Sequence, residues 1–181
     1  GRAVAVLFAR EGADVAICFL ESRNDALVTK EAVEKEGRQC LLIQGDVSQS
    51  DFCKSAVEMT VDKLGKLDIL VNNAGVLLDE TFHKAKEANW DRVMKVHLKG
   101  TFCCTQPVFK WMRDNGGGVI VNTSSTSGLI GNFGQTNYGA AKAGMVGLMN
   151  VLAEEGRKNN IKVNTISPTA ATRMTEELLP P

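Results

Sequence analysis

Two periods of apolar and polar residues alternate along the chain. From Gly1 the stretch GRAVAVLFAREGADVAICFL has helical spacing through Glu11, a stop at Gly12, and then an apolar run from Val15 to Leu20. RNDALVTKEAVEKEGRQCLLIQGDV repeats the beat: a polar amphipathic helix from about Asn24, a break at Gly37, and a buried strand from Cys40 to Gln44. The next stretch, SQSDFCKSAVEMTVDKLGKLDILVNNAG, opens on Ser48 with Asp51 three residues later, which reads as a helix-capping signal, and ends in another apolar strand. A long helix from about Trp90 to Arg113 leads to the strand GVIVNTSS, and a helix from about Asn137 to Glu155 leads to IKVNTISP.

Five short, apolar, β-branched strands separated by helices predict a parallel sheet covered on both faces. Right-handed crossovers make it a doubly wound, Rossmann-like α/β fold. Helix lengths and strand sequences differ from beat to beat, which excludes a solenoid, so residues 1–181 read as one domain. The functional loops of such a sheet lie at the carboxyl ends of its strands, where GDV, NNAG, NTSSTSG and SPTAATRM fall.

Composition narrows the function classes. An apolar content of 44% over 181 residues is enough for one sizeable core. Lys plus Arg and Asp plus Glu are both 21, so no net field favours nucleic acid or an anionic membrane surface. The five cysteines show neither a CxxC nor any metal-ligand spacing, so no metal is expected and a reducing, cytoplasmic compartment fits best. No apolar run approaches the ~20 residues of a membrane span. Residue 1 is glycine rather than methionine, and the expectation is that the chain begins inside a longer protein.

The candidate chemistry starts with LDILVNNAG, a strand ending in two carboxamides and a small-residue turn that lets a flat ligand approach the backbone; a simple tight turn is the other reading. Asp46, just past CLLIQG, reads either as an acceptor for an adenine amino group or as a turn-forming aspartate. Ser125 follows a strand, Tyr138 is the only tyrosine, and Lys142 lies one helical turn beyond it. Carbonyl reduction needs a hydroxyl to hold the carbonyl oxygen, a phenol to deliver a proton, and a cation that makes the phenolate accessible. A free tyrosine titrates near ~10, so bringing it to neutrality takes roughly three units, or ~4 kcal/mol, which a nearby ammonium is able to supply.

Asp46-Val47, NNAG at 72–75, Ser125, YGAAK at 138–142 and NTISP ending at Pro168 resemble, in order, the motifs of the short-chain dehydrogenase/reductase family. The resemblance covers nearly the whole chain. It implies an NAD(P)-dependent oxidoreductase that interconverts a secondary alcohol and a ketone, with no metal. By the same resemblance Tyr138 is the general acid or base, Lys142 depresses its pKa and holds the nicotinamide ribose, and Ser125 orients the substrate oxygen. Asp46 and Val47 would flank the adenine, and Asn73, Ala74 and Gly75 would lie along the cofactor. Pro168 and Thr169 would sit by the nicotinamide, with Thr172 near its carboxamide. The family's tetramers and dimers imply a homo-oligomer, and the small residues Gly139, Ala140, Ala143, Gly144 and Gly147 permit close helix packing.

The chain departs from the family pattern in several places. His97 stands where the family has an asparagine that supports a proton path; a packed helix histidine is its other reading. Thr169 replaces a glycine. The glycine-rich phosphate loop is absent, with Gly1 matching its last glycine, and the first strand and the carboxyl-terminal segment are expected to be missing from the chain. The later motifs are similar to (3R)-hydroxyacyl-CoA dehydrogenase domains and bacterial 3-oxoacyl thioester reductases, whereas the front half is similar to sugar and general alcohol dehydrogenases. Phe19 occupies the position where an acid would select NAD, and Arg2 and Arg23 are candidates for a 2′-phosphate, which tips the balance slightly to NADP. The rival class is a non-catalytic nucleotide-binding protein on the same fold. Retention of Ser125, Tyr138 and Lys142 together weighs against it.

Overall fold

The computed structural model describes residues 1–168. Helix and strand alternate as α1 (Arg2–Arg10), β1 (Val15–Phe19), α2 (Arg23–Lys35), β2 (Cys40–Gln44), α3 (Ser50–Leu64) and β3 (Ile69–Asn72). The second part comprises α4 (Glu87–Met94), a π-helical turn (Lys95–Lys99), α5 (Gly100–Asp114), β4 (Gly118–Thr123), the short α6 (Thr126–Leu129), α7 (Thr136–Gly156) and β5 (Ile161–Ile166). All strand pairs are parallel, as the helical crossovers require.

β1 pairs with β2 from Val15 opposite Cys40 to Phe19 opposite Gln44. β4 is the centre of the other sheet, between β3 and β5. Its alternate residues Ile120 and Asn122 are fully buried. Ile120 packs with Val108 and Met112 of α5 and with Ile161 and Val163 of β5. A smaller cluster seats the α1 alanines Ala5 and Ala9, four apart on one helix face, with Val33 and Cys40. Asn122 would be costly at such a depth unless paired; its Oδ1 accepts from Asn72 Nδ2 at 2.9 Å, and the same Nδ2 donates to Thr105 Oγ1 at 2.9 Å. Strands β3 and β4 and helix α5 are thereby tied by one polar node at the carboxyl end of the sheet.

The doubly wound order is realised in two pieces. Among the described residues β1 and β3 have no ladder between them, and a cavity of about 700 Å³ lies there, lined by Val15, Ile17, Leu70, Val96 and Cys104 among others.

Two local expectations are corrected. Ser48 does not cap α3; the helix begins at Ser50, and the Ser48 amide instead donates to Asp46 Oδ1 at 2.9 Å, so the aspartate shapes the turn first. The long central helix is interrupted by the π-helical turn, whose His97 carbonyl accepts from Thr101 Oγ1 of α5 at 2.7 Å. Such turns change the phase of the residues they contain, and here the turn carries His97.

The entry to β4 depends on two glycines with positive φ. A Cβ at Gly117 (φ 102°) would meet the Asn160 carbonyl oxygen at 2.3 Å, whereas one at Gly116 (φ 92°) would meet nothing within 4 Å. Gly116→Ala is therefore expected to cost only the conformational penalty, about 1–2 kcal/mol. Gly117→Ala is expected to cost more than about 3 kcal/mol, because the β4–β5 register must also shift. Equal losses for the two in denaturant titrations would contradict this reading of the turn.

Candidate active site

The carboxyl end of β4 delivers Ser125, which acts as the N-cap of α6 by accepting the Ser127 amide at 3.2 Å. Helix α7 starts at Thr136, so Tyr138 and Lys142 occupy its first turns on one face. Two glycines press these segments together. A Cβ at Gly128 would lie 2.7 Å from the Ala143 nitrogen, and one at Gly139 would lie 2.9 Å from the Ser127 carbonyl oxygen. At that spacing the Ser125 hydroxyl acts on the Tyr138 phenol, drawing its pKa down. Ser124 Oγ, buried beside them, donates to the Lys142 carbonyl at 2.8 Å.

Lys142 is 2% exposed, its Nζ donates to the Thr123 carbonyl, and it lies 5.4 Å from the centroid of the Tyr138 ring. Burial pushes its ammonium down to about 8. Burial also raises the Tyr138 phenol above its ordinary value; the Ser125 hydrogen bond opposes this and Asp79 adds to it. The expected lowering of the phenol by Lys142 is thus not found. A lysine that loses its proton near 8 is already neutral at the pH where the phenol ionises, so it has no charge left with which to stabilise the phenolate.

His97 joins the same cluster. It is 2% exposed, and its ring meets Tyr138 edge to face with centroids 5.1 Å apart. Nε2 faces both the Val76 amide (3.0 Å) and the Val76 carbonyl (2.8 Å), so the tautomer decides which one it bonds, while the buried Nδ1 has no hydrogen-bond partner. Burial, with the charge of Lys142 second, pushes the imidazole down to about 4, which keeps it neutral at physiological pH. The last glycine of NNAG is explained by this ring: a Cβ at Gly75 would lie 2.4 Å from His97 Cε1.

The residues read as cofactor contacts divide into groups. Gly1, Val47, Asn73 and Ala74 line the cavity between β1 and β3, with the Gly1 Cβ position 3.6 Å from Asn73 Nδ2. Asn72 instead belongs to the structural node with Asn122 and Thr105. Asp46 shapes its own turn, where Ser48 holds its carboxyl below the usual range, and Arg92 lies 3.6 Å away. Arg2 donates to Asp25 and to Thr29 Oγ1, both at 3.2 Å. Pro168 is the last described residue; Thr169 and Thr172 lie outside the described residues.

Sequence reasoning missed a polar chain behind Ser125. Gln135, 5% exposed, donates through Nε2 to Asp79 Oδ2 at 2.7 Å and accepts at Oε1 from Ser127 Oγ at 2.6 Å. Ser125 Oγ in turn donates to Ser127 Oγ at 3.3 Å. The hydrogen bonds therefore run in one direction from the serine to a carboxylate. The only signal in the sequence was a glutamine amid small residues in GNFGQTNY, and its partner Asp79 is 56 residues away.

Residues 1–180 match the model of the family described as short chain dehydrogenase. The chain is 43% identical, over 99% of its length, to the peroxisomal multifunctional enzyme type 2 of Drosophila melanogaster, of which it spans 31%. It is 42% identical, over its full length, to a short-chain type dehydrogenase/reductase of Mycobacterium tuberculosis, of which it spans 66%. A crystal structure of a short chain dehydrogenase from Mycobacterium avium superposes with a TM-score of 0.91 at 35% identity, over 97% of this chain and 65% of that one. With the ordered motifs and the clustering of Ser125, Tyr138 and Lys142, these matches establish that the chain belongs to the short-chain dehydrogenase family, whose members are NAD(P)-dependent oxidoreductases.

Proposed function

We propose that the chain carries the catalytic centre of an oxidoreductase interconverting a secondary alcohol and a ketone, with Tyr138 as the proton donor and acceptor. The observation that carries this reading is the convergence of side chains from three elements, Ser125 at the end of β4, Tyr138 and Lys142 on α7, and His97 in the π-helical turn, on one buried cluster. A bound nicotinamide dinucleotide supplies or accepts the hydride. Asn73, Ala74, Val47 and Gly1 would hold it along the groove, Lys142 would meet its ribose, and Pro168, Thr169 and Thr172 would take the nicotinamide side.

In the reducing direction the neutral, buried phenol is already in the protonation state a donor needs. The Ser125 hydroxyl turns from its weak 3.3 Å bond with Ser127 toward the substrate oxygen, while Gln135 and Asp79 hold Ser127 in place. Below about 8 Lys142 is charged and favours the phenolate left after proton transfer. Neutral His97 supports the rear of the phenol and the backbone at Val76.

The substrate class we favour is a 3-hydroxyacyl or 3-oxoacyl thioester, supported by the resemblance of the later motifs. NADP is favoured slightly over NAD because Phe19 rather than an acid ends β1, although Asp25 already engages Arg2. We further propose a homo-oligomer, a tetramer or dimer. An open apolar groove of about 700 Å³ between α7 and the segment formed by α4 and the π-helical turn, flanked by half-exposed Phe102 and Val151, supports it. No helix among the described residues is long and apolar enough to cross a membrane. The cytoplasm is the proposed compartment, and the names of several relatives make the peroxisome its alternative.

Tyr138→Phe is expected to lower turnover by about 10²–10⁴-fold while leaving cofactor affinity within a few fold. Near-normal turnover of that variant would remove the phenol from the reaction. His97→Asn is expected to stay active and to relieve the destabilisation of Gly75→Ala in the double variant, whereas His97→Leu should lose rate. Additive stability losses for Gly75→Ala and His97→Asn would show that the ring does not occupy the glycine's space.

Lys142 makes a separate, pH-dependent contribution. Its folded pKa, about 8, is below the unfolded value of 10.5, so between these values the unfolded chain binds more protons and stability rises with pH. Relative to Lys142→Met, the wild-type chain is expected to gain about 3 kcal/mol between pH 8 and pH 10.5. A stability difference that stays flat across that window would contradict the buried ammonium.

A further inference from the structure

Cysteines lie behind the cofactor groove, away from the proposed chemistry. Cys53 on α3 and Cys104 on α5 have their sulfurs 3.2 Å apart, with Cys104 donating to Cys53. Cys53 is buried and Cys104 half-buried. Cys53 Sγ also donates to the Val47 carbonyl at 3.2 Å, and Val47 lines the cavity between β1 and β3. A disulfide requires the sulfurs to close by about 1 Å, to ~2.05 Å, a movement within reach of side-chain rotation on facing helices.

We propose that Cys53 and Cys104 form a dithiol site that a hydroperoxide oxidises to a disulfide, and that this oxidation weakens cofactor binding through Val47. The bond from Cys104 holds the Cys53 thiol below its usual value, whereas burial pushes Cys18 and Cys40 up to about 11, which makes Cys53 the nucleophile of the set. Cys103 is turned elsewhere, its sulfur 3.2 Å from Ser50 Oγ. The Cys53 thiolate attacks one peroxide oxygen and the O–O bond breaks; a sulfenic acid forms and an alcohol leaves, or water when the oxidant is hydrogen peroxide. Cys104 then attacks the sulfenic sulfur; the S–S bond forms, the S–O bond breaks, and water departs with the Cys104 proton. Two thiols lose two electrons and two protons, and the peroxide is reduced to alcohol and water.

The product no longer has a hydrogen on Cys53, so the Val47 carbonyl loses that donor. The new cross-link spans 51 residues and fixes α3 to α5 on either side of β3. The effect on cofactor rests on the function proposed above; formation of the disulfide does not.

The test treats the full chain with hydrogen peroxide, blocks free thiols, and maps linked peptides by mass spectrometry without reductant. The expected result is one intramolecular link, Cys53 to Cys104, that disappears in Cys53→Ser and in Cys104→Ser and persists in Cys18→Ser. A Cys18–Cys53 link, a Cys53 sulfinic acid with Cys104 still free, or unmodified thiols in the folded chain would each overturn the site. Fluorescence titration with NADPH and NADH is then expected to show at least several-fold weaker binding after oxidation, restored by dithiothreitol and absent from Cys104→Ser. Unchanged affinity in a protein shown to carry the disulfide would overturn the link to Val47. Failure of both oxidised and reduced chains to bind either dinucleotide would count against the proposed function, while the peptide map still decides the dithiol site.

Discussion

The close approach of the β4–α6 turn to helix α7 is the contact on which the rest of the site depends. It exists because Gly128 and Gly139 face backbone atoms at distances where a Cβ has no room. That approach brings a serine from one strand end to a tyrosine on the next helix. It also buries Lys142 so completely that its Nζ must take the Thr123 carbonyl as a partner. A side chain larger than hydrogen at either glycine would separate the hydroxyls and reopen the lysine to water, so packing here determines electrostatics directly.

The same burial acts on each titratable member of the cluster in the direction of neutrality. The tyrosine is raised, the lysine lowered and the histidine lowered, because each is charged in the form that water would have favoured. The result at neutral pH is a protonated phenol, a neutral imidazole, and an ammonium that is the one positive charge of the set. On the proposed function this suits proton transfer to a substrate oxygen: the donor is kept protonated, and the ammonium lies 5.4 Å from the centroid of the ring that would become negative. Behind it, Gln135 and Asp79 orient the serine hydroxyls, and the Asp79 charge adds to the rise of the phenol.

Much of this was legible in the sequence. The period of the apolar residues located every strand, and the four-residue step from Tyr138 to Lys142 placed both on one helix face. Ser125 was legible from its place just past a strand, and the structure brings it near the phenol. What was not legible depended on distances in space. The Asp79–Gln135 bond joins residues 56 apart, and the π-helical turn that places His97 leaves no mark in an apolar pattern. Ser48 satisfied the local rule for a cap, yet the helix starts at Ser50 without a side-chain cap, and Ser48 sits in the turn shaped by Asp46. The direction of the tyrosine shift was missed because a lysine in the sequence reads as a fixed charge, while a buried one does not keep that charge at all pH values.

Because Tyr138 is the only tyrosine in the chain, its ionisation has an unobstructed spectroscopic signal. The most direct measurement is a pH titration of tyrosinate absorbance in the native protein without cofactor, with circular dichroism to confirm that the fold persists. The account predicts that the phenolate appears only above the pH at which a free tyrosine ionises, after Lys142 has lost its proton near 8. A native-state phenolate forming near neutrality would contradict the claim that burial, rather than the neighbouring lysine, sets the state of the proton donor.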